Sequence, residues 1–97
     1  MKLIGITACP TGIAHTYMAA EQLEKTAKKL GHTIKIETQG AMGIENQLSA
    51  ADIAGADAAI FATDIAIEGE ERFTQIRKVK VSVQAALKDP AAIFAKL

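Results

Sequence analysis

Two short runs, Leu3 to Ala8 and Ala58 to Ala62, are almost wholly apolar, and a strand with no polar face has to be covered on both sides. They are therefore expected at the centre of a sheet. Two other stretches alternate. Thr33 to Thr38 sets Ile34 and Ile36 against Lys35 and Glu37, which keeps one face in water, and Lys78 to Val83 alternates lysine with valine, a usual guard on a sheet edge. Both are expected as edge strands. Between the first two strands, Ile13, Tyr17, Ala20, Leu23, Ala27 and Leu30 recur at intervals of three and four and predict a helix over 13–30. Glu21 with Lys25 and Glu24 with Lys28 support its outer face, and Gly31 stops it.

The rest of the chain carries shorter signals. Residues 38–43 contain two glycines and read as a loop, after which Ser49 and Asp52 have capping-box spacing, so a short helix runs to Ala54 and stops at Gly55. Ile65 to Gln75 reads as a loop with at most a short helix. A helical piece over Gln84 to Lys88 precedes a terminal helix from Pro90 to Lys96, opened by Asp89 as cap. Strands alternating with crossovers imply an α/β, three-layer fold of the Rossmann or flavodoxin-like kind: a four-stranded parallel sheet in the order 2-1-3-4 with helices on both faces.

Residues 1–97 suffice for one domain. Aromatic residues are 4% of the chain and tryptophan is absent, so the core has to be built from Ala, Ile, Leu and Val. The net charge is zero with no basic stripe, which excludes nucleic acid as the main partner. No apolar run approaches the length needed to span a membrane, so no direct membrane insertion is expected. A single cysteine cannot form an internal disulfide, and a thiol kept for reactivity fits a reducing cytosol.

That cysteine lies in Ala8-Cys9-Pro10-Thr11-Gly12-Ile13-Ala14-His15-Thr16, where the first strand passes through a glycine-containing turn into the long helix. Such a turn leaves backbone N–H groups unpaired, converging on one spot and reinforced by the helix dipole. The spot suits an anion, and the same field favours thiolate at Cys9, hence a nucleophile. In a 2-1-3-4 sheet the ligand crevice lies at the carboxyl ends of strands one and three, where the order reverses. Cys9 stands there, with Thr38, Gln39, Thr63 and Asp64 ending the flanking strands on the same rim. Thr11 suits either an N-cap or a phosphate ligand. His15 is either a surface residue or a donor to a phosphoryl oxygen, since a positive charge in a first helical turn needs an anion in front of it. Asp64 is either a turn former or part of the chemistry. Tyr17 and Met18 read as packing residues near the site, and the acidic group at Glu68, Glu70 and Glu71, like Arg77, Lys78 and Lys80, as solvated faces.

The spacing from Cys9 to His15-Thr16 is similar to that of the cysteine-based phosphatase loop, except that His15 stands where that loop has arginine. Histidine cannot supply the planar fork that grips two equatorial phosphoryl oxygens, and no residue clearly supplies the acid and activated water that hydrolysis needs. The loop suits holding phosphate on sulfur better than passing it to water. A phosphatase-like activity and a non-enzymatic anion-binding or redox module are the alternatives, the latter weakened by the lack of a second cysteine.

The motif 8–16, followed by Met18-Ala19-Ala20-Glu21, resembles the active-site signature of the fructose-specific IIB component of the bacterial phosphoenolpyruvate-dependent sugar phosphotransferase system (PTS). The likeness continues through Glu37-Thr38-Gln39-Gly40 with Gly43, Ala56-Asp57, Ala62-Thr63-Asp64 and Arg72-Phe73, over nearly the whole chain. The resemblance implies a single fructose-type IIB domain over 1–97 whose Cys9 takes a phosphoryl group from phosphohistidine on a IIA partner. It then passes the group to a sugar bound by the membrane permease IIC, with fructose 1-phosphate as the family product. It further implies phosphate binding by Thr11, Gly12, Ile13, Ala14, His15 and Thr16, candidate rim residues Thr38, Gln39 and Asp64, no metal or organic cofactor, and a cytoplasmic location at the inner face of the plasma membrane through IIC.

Overall fold

A computed structural model describes residues 1–9, 13–40 and 43–97, and the backbone alone of Ile13. Strand β1 (Lys2–Ala8) pairs in parallel with β2 (Thr33–Gly40) on one side and with β4 (Ala58–Thr63) on the other. Every residue from Leu3 to Ala8 and from Ala58 to Ala62 is buried, as expected of strands covered on both faces. Strand β5 (Lys78–Val81) adds to β4 in parallel and forms one edge of the sheet.

The other edge departs from the expected topology. A three-residue strand, β3 (Gly43–Glu45), runs antiparallel to β2, with Thr38 opposite Glu45 and Gln39 opposite Ile44. The sheet is therefore five-stranded and mixed, in the order β3-β2-β1-β4-β5, not four-stranded and wholly parallel. The loop expected over 38–43 is shorter than that, since residues 38–40 continue β2 and Gly43 opens β3, and Gly-Ile-Glu is too short to show a periodicity. Its presence takes β2 off the edge, and Ile36 to Gln39 are all buried. Glu37, expected in water opposite Ile36, has no exposed surface.

Helix α1 (Ile13–Lys29) crosses the sheet and buries Thr16, Ala19, Ala20, Leu23 and Ala27, one stripe at intervals of three and four. Tyr17 and Leu30, expected in that stripe, are exposed, and so is Met18. Tyr17 is one residue, about 100° of helix, off the buried line, and Leu30 lies beyond the last helical residue. Gly31 ends α1 as expected: its φ of 81° is left-handed, and the next N–H, that of His32, reaches back to the Ala27 carbonyl at 2.8 Å.

On the same face as α1 lie α3 (Val83–Lys88) and α4 (Pro90–Phe94), closing a core of Leu3, Leu23, Ile36, Ile60, Val83 and Ile93. Strand β5 stops two residues before the expected Val83 because Ser82 caps α3, accepting the Ala85 N–H at 3.1 Å. Asp89 caps α4 as anticipated, with Pro90 in its first turn, though the helix closes at Phe94, not Lys96. The opposite face is covered by α2 (Ala50–Ala54) and a 3-10 turn over Glu70–Phe73, which pack Leu48 and Phe73 onto Ile4, Ile6 and Phe61. The expected capping box is present: Ser49 Oγ accepts the Asp52 N–H at 3.1 Å and Asp52 Oδ2 accepts the Ser49 N–H at 2.9 Å.

Candidate functional site

β1 delivers Cys9 to the carboxyl end of the sheet, between β2 and β4, where the strand order reverses. The residue is 8% exposed and lines a cleft of about 300 Å³. Gln39 and Gly40 from β2 and Gly43 and Ile44 from β3 form one wall, and Ile65, Ala66 and Glu68, from the segment after β4, form the other. α1 begins four residues after Cys9.

The expected phosphate-binding residues divide. Thr11 and Gly12 lie outside the described residues, as does Pro10, and Ile13 contributes the first backbone unit of α1. Ala14 and His15 are exposed in the first turn of the helix. Thr16 faces the sheet and is 1% exposed, with its carbonyl accepting Thr7 Oγ1–H at 3.1 Å. Of the rim candidates, only Gln39 shares the cleft with Cys9. Thr38 is buried beside Thr7 on the α1 face, and its Oγ1 meets no hydrogen-bond partner among the described residues. Asp64 accepts the Val83 N–H at 3.1 Å and donates its own N–H to the Ala8 carbonyl at 3.0 Å, so it staples the ends of β1 and β4 to the start of α3. Tyr17 turns outward and donates its hydroxyl to Glu45 on β3, a carboxylate that raises the phenol's pKa.

Sequence reasoning missed the polar network behind the β2 wall. Glu37 points to the face opposite α1, where its Oε1 accepts the Leu48 N–H at 2.9 Å and Arg72 Nη1 at 3.1 Å, and its Oε2 accepts Arg72 Nη2 at 3.0 Å and Gln39 Nε2 at 2.6 Å. Burial pushes the Glu37 carboxyl up, but the bonds from Arg72, Gln39 and Leu48 outweigh it and hold it below the ordinary carboxylate range. Arg72 also gives Nε to the Gly69 carbonyl at 2.9 Å, Nη1 to Leu48 at 3.2 Å and Nη2 to Glu68 at 3.2 Å. All five guanidinium N–H donors are thus engaged within the protein. The other arginine, Arg77, precedes β5 at the opposite end of the sheet and donates to the Lys96 carbonyl. Both guanidiniums are thus engaged away from the Cys9 cleft, so His15, where the cysteine-phosphatase loop has arginine, is not replaced by an arginine from elsewhere among the described residues.

Among the described residues no helix is long and apolar enough to cross a membrane, and no group of three His, Cys, Asp or Glu side chains is placed to hold a metal ion. Residues 4–96 match the family model described as "PTS system, Lactose/Cellobiose specific IIB subunit". The chain is 51% identical over 96 residues to the PTS system fructose-like EIIB component 2 of Escherichia coli K12, covering 99% of this chain and 91% of that protein. It is 47% identical over 92 residues to the 2-O-alpha-mannosyl-D-glycerate-specific EIIABC component of the same organism, covering 95% of this chain and 14% of that one. A crystal structure of a domain of the fructose-specific IIABC component of Borrelia burgdorferi superposes with a TM-score of 0.93 at 44% identity, covering 98% of this chain and 90% of that domain. With a family model matched over residues 4–96, a relative 51% identical over nearly its whole length and a solved domain of the same fold, the chain belongs to the PTS IIB family and is similar within it to the fructose-like EIIB components.

Proposed function

We propose that residues 1–97 act as a single IIB domain whose Cys9 carries a phosphoryl group between a IIA protein and a sugar handled by the membrane component IIC. The P–N bond to a IIA histidine breaks as a P–S bond forms at Cys9, and a sugar hydroxyl then displaces the sulfur as thiolate. Amides from Thr11 through His15 receive the charge at the start of α1, with the Thr11 and Thr16 hydroxyls as further donors. The observation that carries this reading is the seat of Cys9: the end of a central strand, in an open cleft, just before a 17-residue helix. No metal or organic cofactor takes part.

Fructose, yielding fructose 1-phosphate, is the acceptor suggested by the fructose-like relatives. The relative named for mannosylglycerate supports leaving that choice to IIC. The fusion of A, B and C components in one relative supports both partners. The domain would then work in the cytoplasm at the inner membrane face, reached through IIC.

Incubation with a histidine-phosphorylated IIA protein, followed by intact mass and released phosphate, tests the proposal. One phosphoryl adduct is expected, absent from Cys9→Ser although that variant keeps the fold. Failure to form the adduct, or steady release of phosphate in its place, overturns the carrier mechanism.

A further inference from the structure

Resting on that reading, we infer that Arg72, through Glu37 and Gln39, is a positioning residue for transfer at Cys9: it locks the two walls of the cleft in one relative placement. The β2 wall and the 65–68 wall meet through a reciprocal pair, in which Gln39 Nε2 donates to the Glu68 carbonyl at 3.0 Å and the Glu68 N–H donates to Gln39 Oε1 at 2.8 Å. Gln39 has its amide orientation set by Glu37, and Glu37 has both oxygens set by the Arg72 fork. Arg72 closes the circuit by binding the carbonyls of Glu68 and Gly69 directly.

The backbone is shaped to admit this clamp. Gly69 has a φ of 72°, and a Cβ there would sit 2.6 Å from Arg72 Nε. An apolar pair of equal volume could fill the same space without loss of stability, because burying two charges is expensive. It could not dictate the direction of two loop carbonyls and one side-chain amide, as a planar bidentate fork does. The ion pair therefore contributes direction, and the segment it directs carries Ile65 and Ala66 to the mouth of the cleft.

Two variants test this, Gln39→Met, which keeps the volume, and Arg72→Lys, which keeps the charge and loses the fork. Each is assayed well below its Tm for single-turnover transfer from histidine-phosphorylated IIA and for alkylation of Cys9 by iodoacetamide. The saturating transfer rate should fall about tenfold, as sub-ångström misplacement of a reacting group does, while the IIA concentration giving half that rate stays unchanged. Alkylation should shift about threefold or more with the altered access to the thiol. A folded Gln39→Met domain with both rates within twofold of the parent overturns the inference and leaves the network a purely structural one. If the parent itself takes up no phosphoryl group yet alkylation shifts in the variants, the carrier reading falls and the positioning of Cys9 stands.

Discussion

On the α1 face of the sheet Leu3, Leu23, Ile36, Ile60 and Ile93 meet with no charged side chain among the buried residues, whereas the opposite face passes from Ile4, Ile6, Phe61 and Phe73 into Glu37, Gln39 and Arg72 as it nears the cleft. The two faces do different jobs. Apolar contacts are non-directional, so the α1 face, whose buried cluster includes Cys9, resists unfolding mainly without choosing orientations, the bond from Thr7 Oγ1–H to the Thr16 carbonyl excepted. The hydrogen bonds of the other face are directional, and they connect to the walls around Cys9. One sheet thus separates cohesion from aim.

The largest test of that division is Arg72→Met. It leaves the Glu37 carboxylate buried with no counterion, and a loss of about 3–5 kcal/mol is expected from chemical denaturation. A loss no larger than that of an exposed pair such as Glu21–Lys25, at 3.0 Å, would break the comparison. Leu23→Ala, which empties the centre of the α1 face, should cost about 2–4 kcal/mol yet leave Cys9 alkylation in the folded protein unchanged. A changed alkylation rate would show that the α1 face also aims the site.

The smallest effect is a pH dependence confined to one face. The carboxyl of Glu37 is held below its ordinary range despite burial, and that of Asp52 is drawn down to about 2 by Lys35 Nζ at 2.8 Å and by Ser49. A depressed folded-state pKa gives stability that is present above the ordinary carboxylate value of about 4 and is lost as the pH falls through the folded value. Denaturation midpoints should therefore fall between about pH 4 and pH 2, more shallowly in Glu37→Gln and in Asp52→Asn. Leu23→Ala should run parallel to the parent. Equal slopes in all four proteins would remove the electrostatic half of the argument.

The same division governs what could be read in the sequence. Central strands announced themselves as unbroken apolar runs, and the caps at Ser49 and Asp89 and the stop at Gly31 are written in neighbouring residues. The position of Cys9 followed from topology once the central strands were assigned. Glu37 was opaque because in a stretch alternating with Ile34, Lys35 and Ile36 it is indistinguishable from an exposed residue, and the group that reverses its fate lies 35 residues further on. Arg72 was marked, with Glu37 and Gln39, by the family resemblance, but it sits in an acidic, aperiodic segment that gives no physical sign of its partner. Ile65 and Ala66 carried no signal because they line an opening and not a core, and three residues of β3 are too few for any pattern. Asp64 follows the end of β4 as expected, whereas Thr38 lies inside β2, which runs on to Gly40, and side-chain direction there depends on register and capping, which strand order does not supply.

A guanidinium whose protons are all spoken for also limits how firmly the mouth of the cleft can grip. Any arriving phosphate that sought Arg72 would have to strip it from three carbonyl oxygens and a carboxylate before making its first contact there. Under the proposed carrier chemistry, loose custody is the outcome: an anion beside Cys9 would be held with no help from Arg72, and so with little to stop it from leaving.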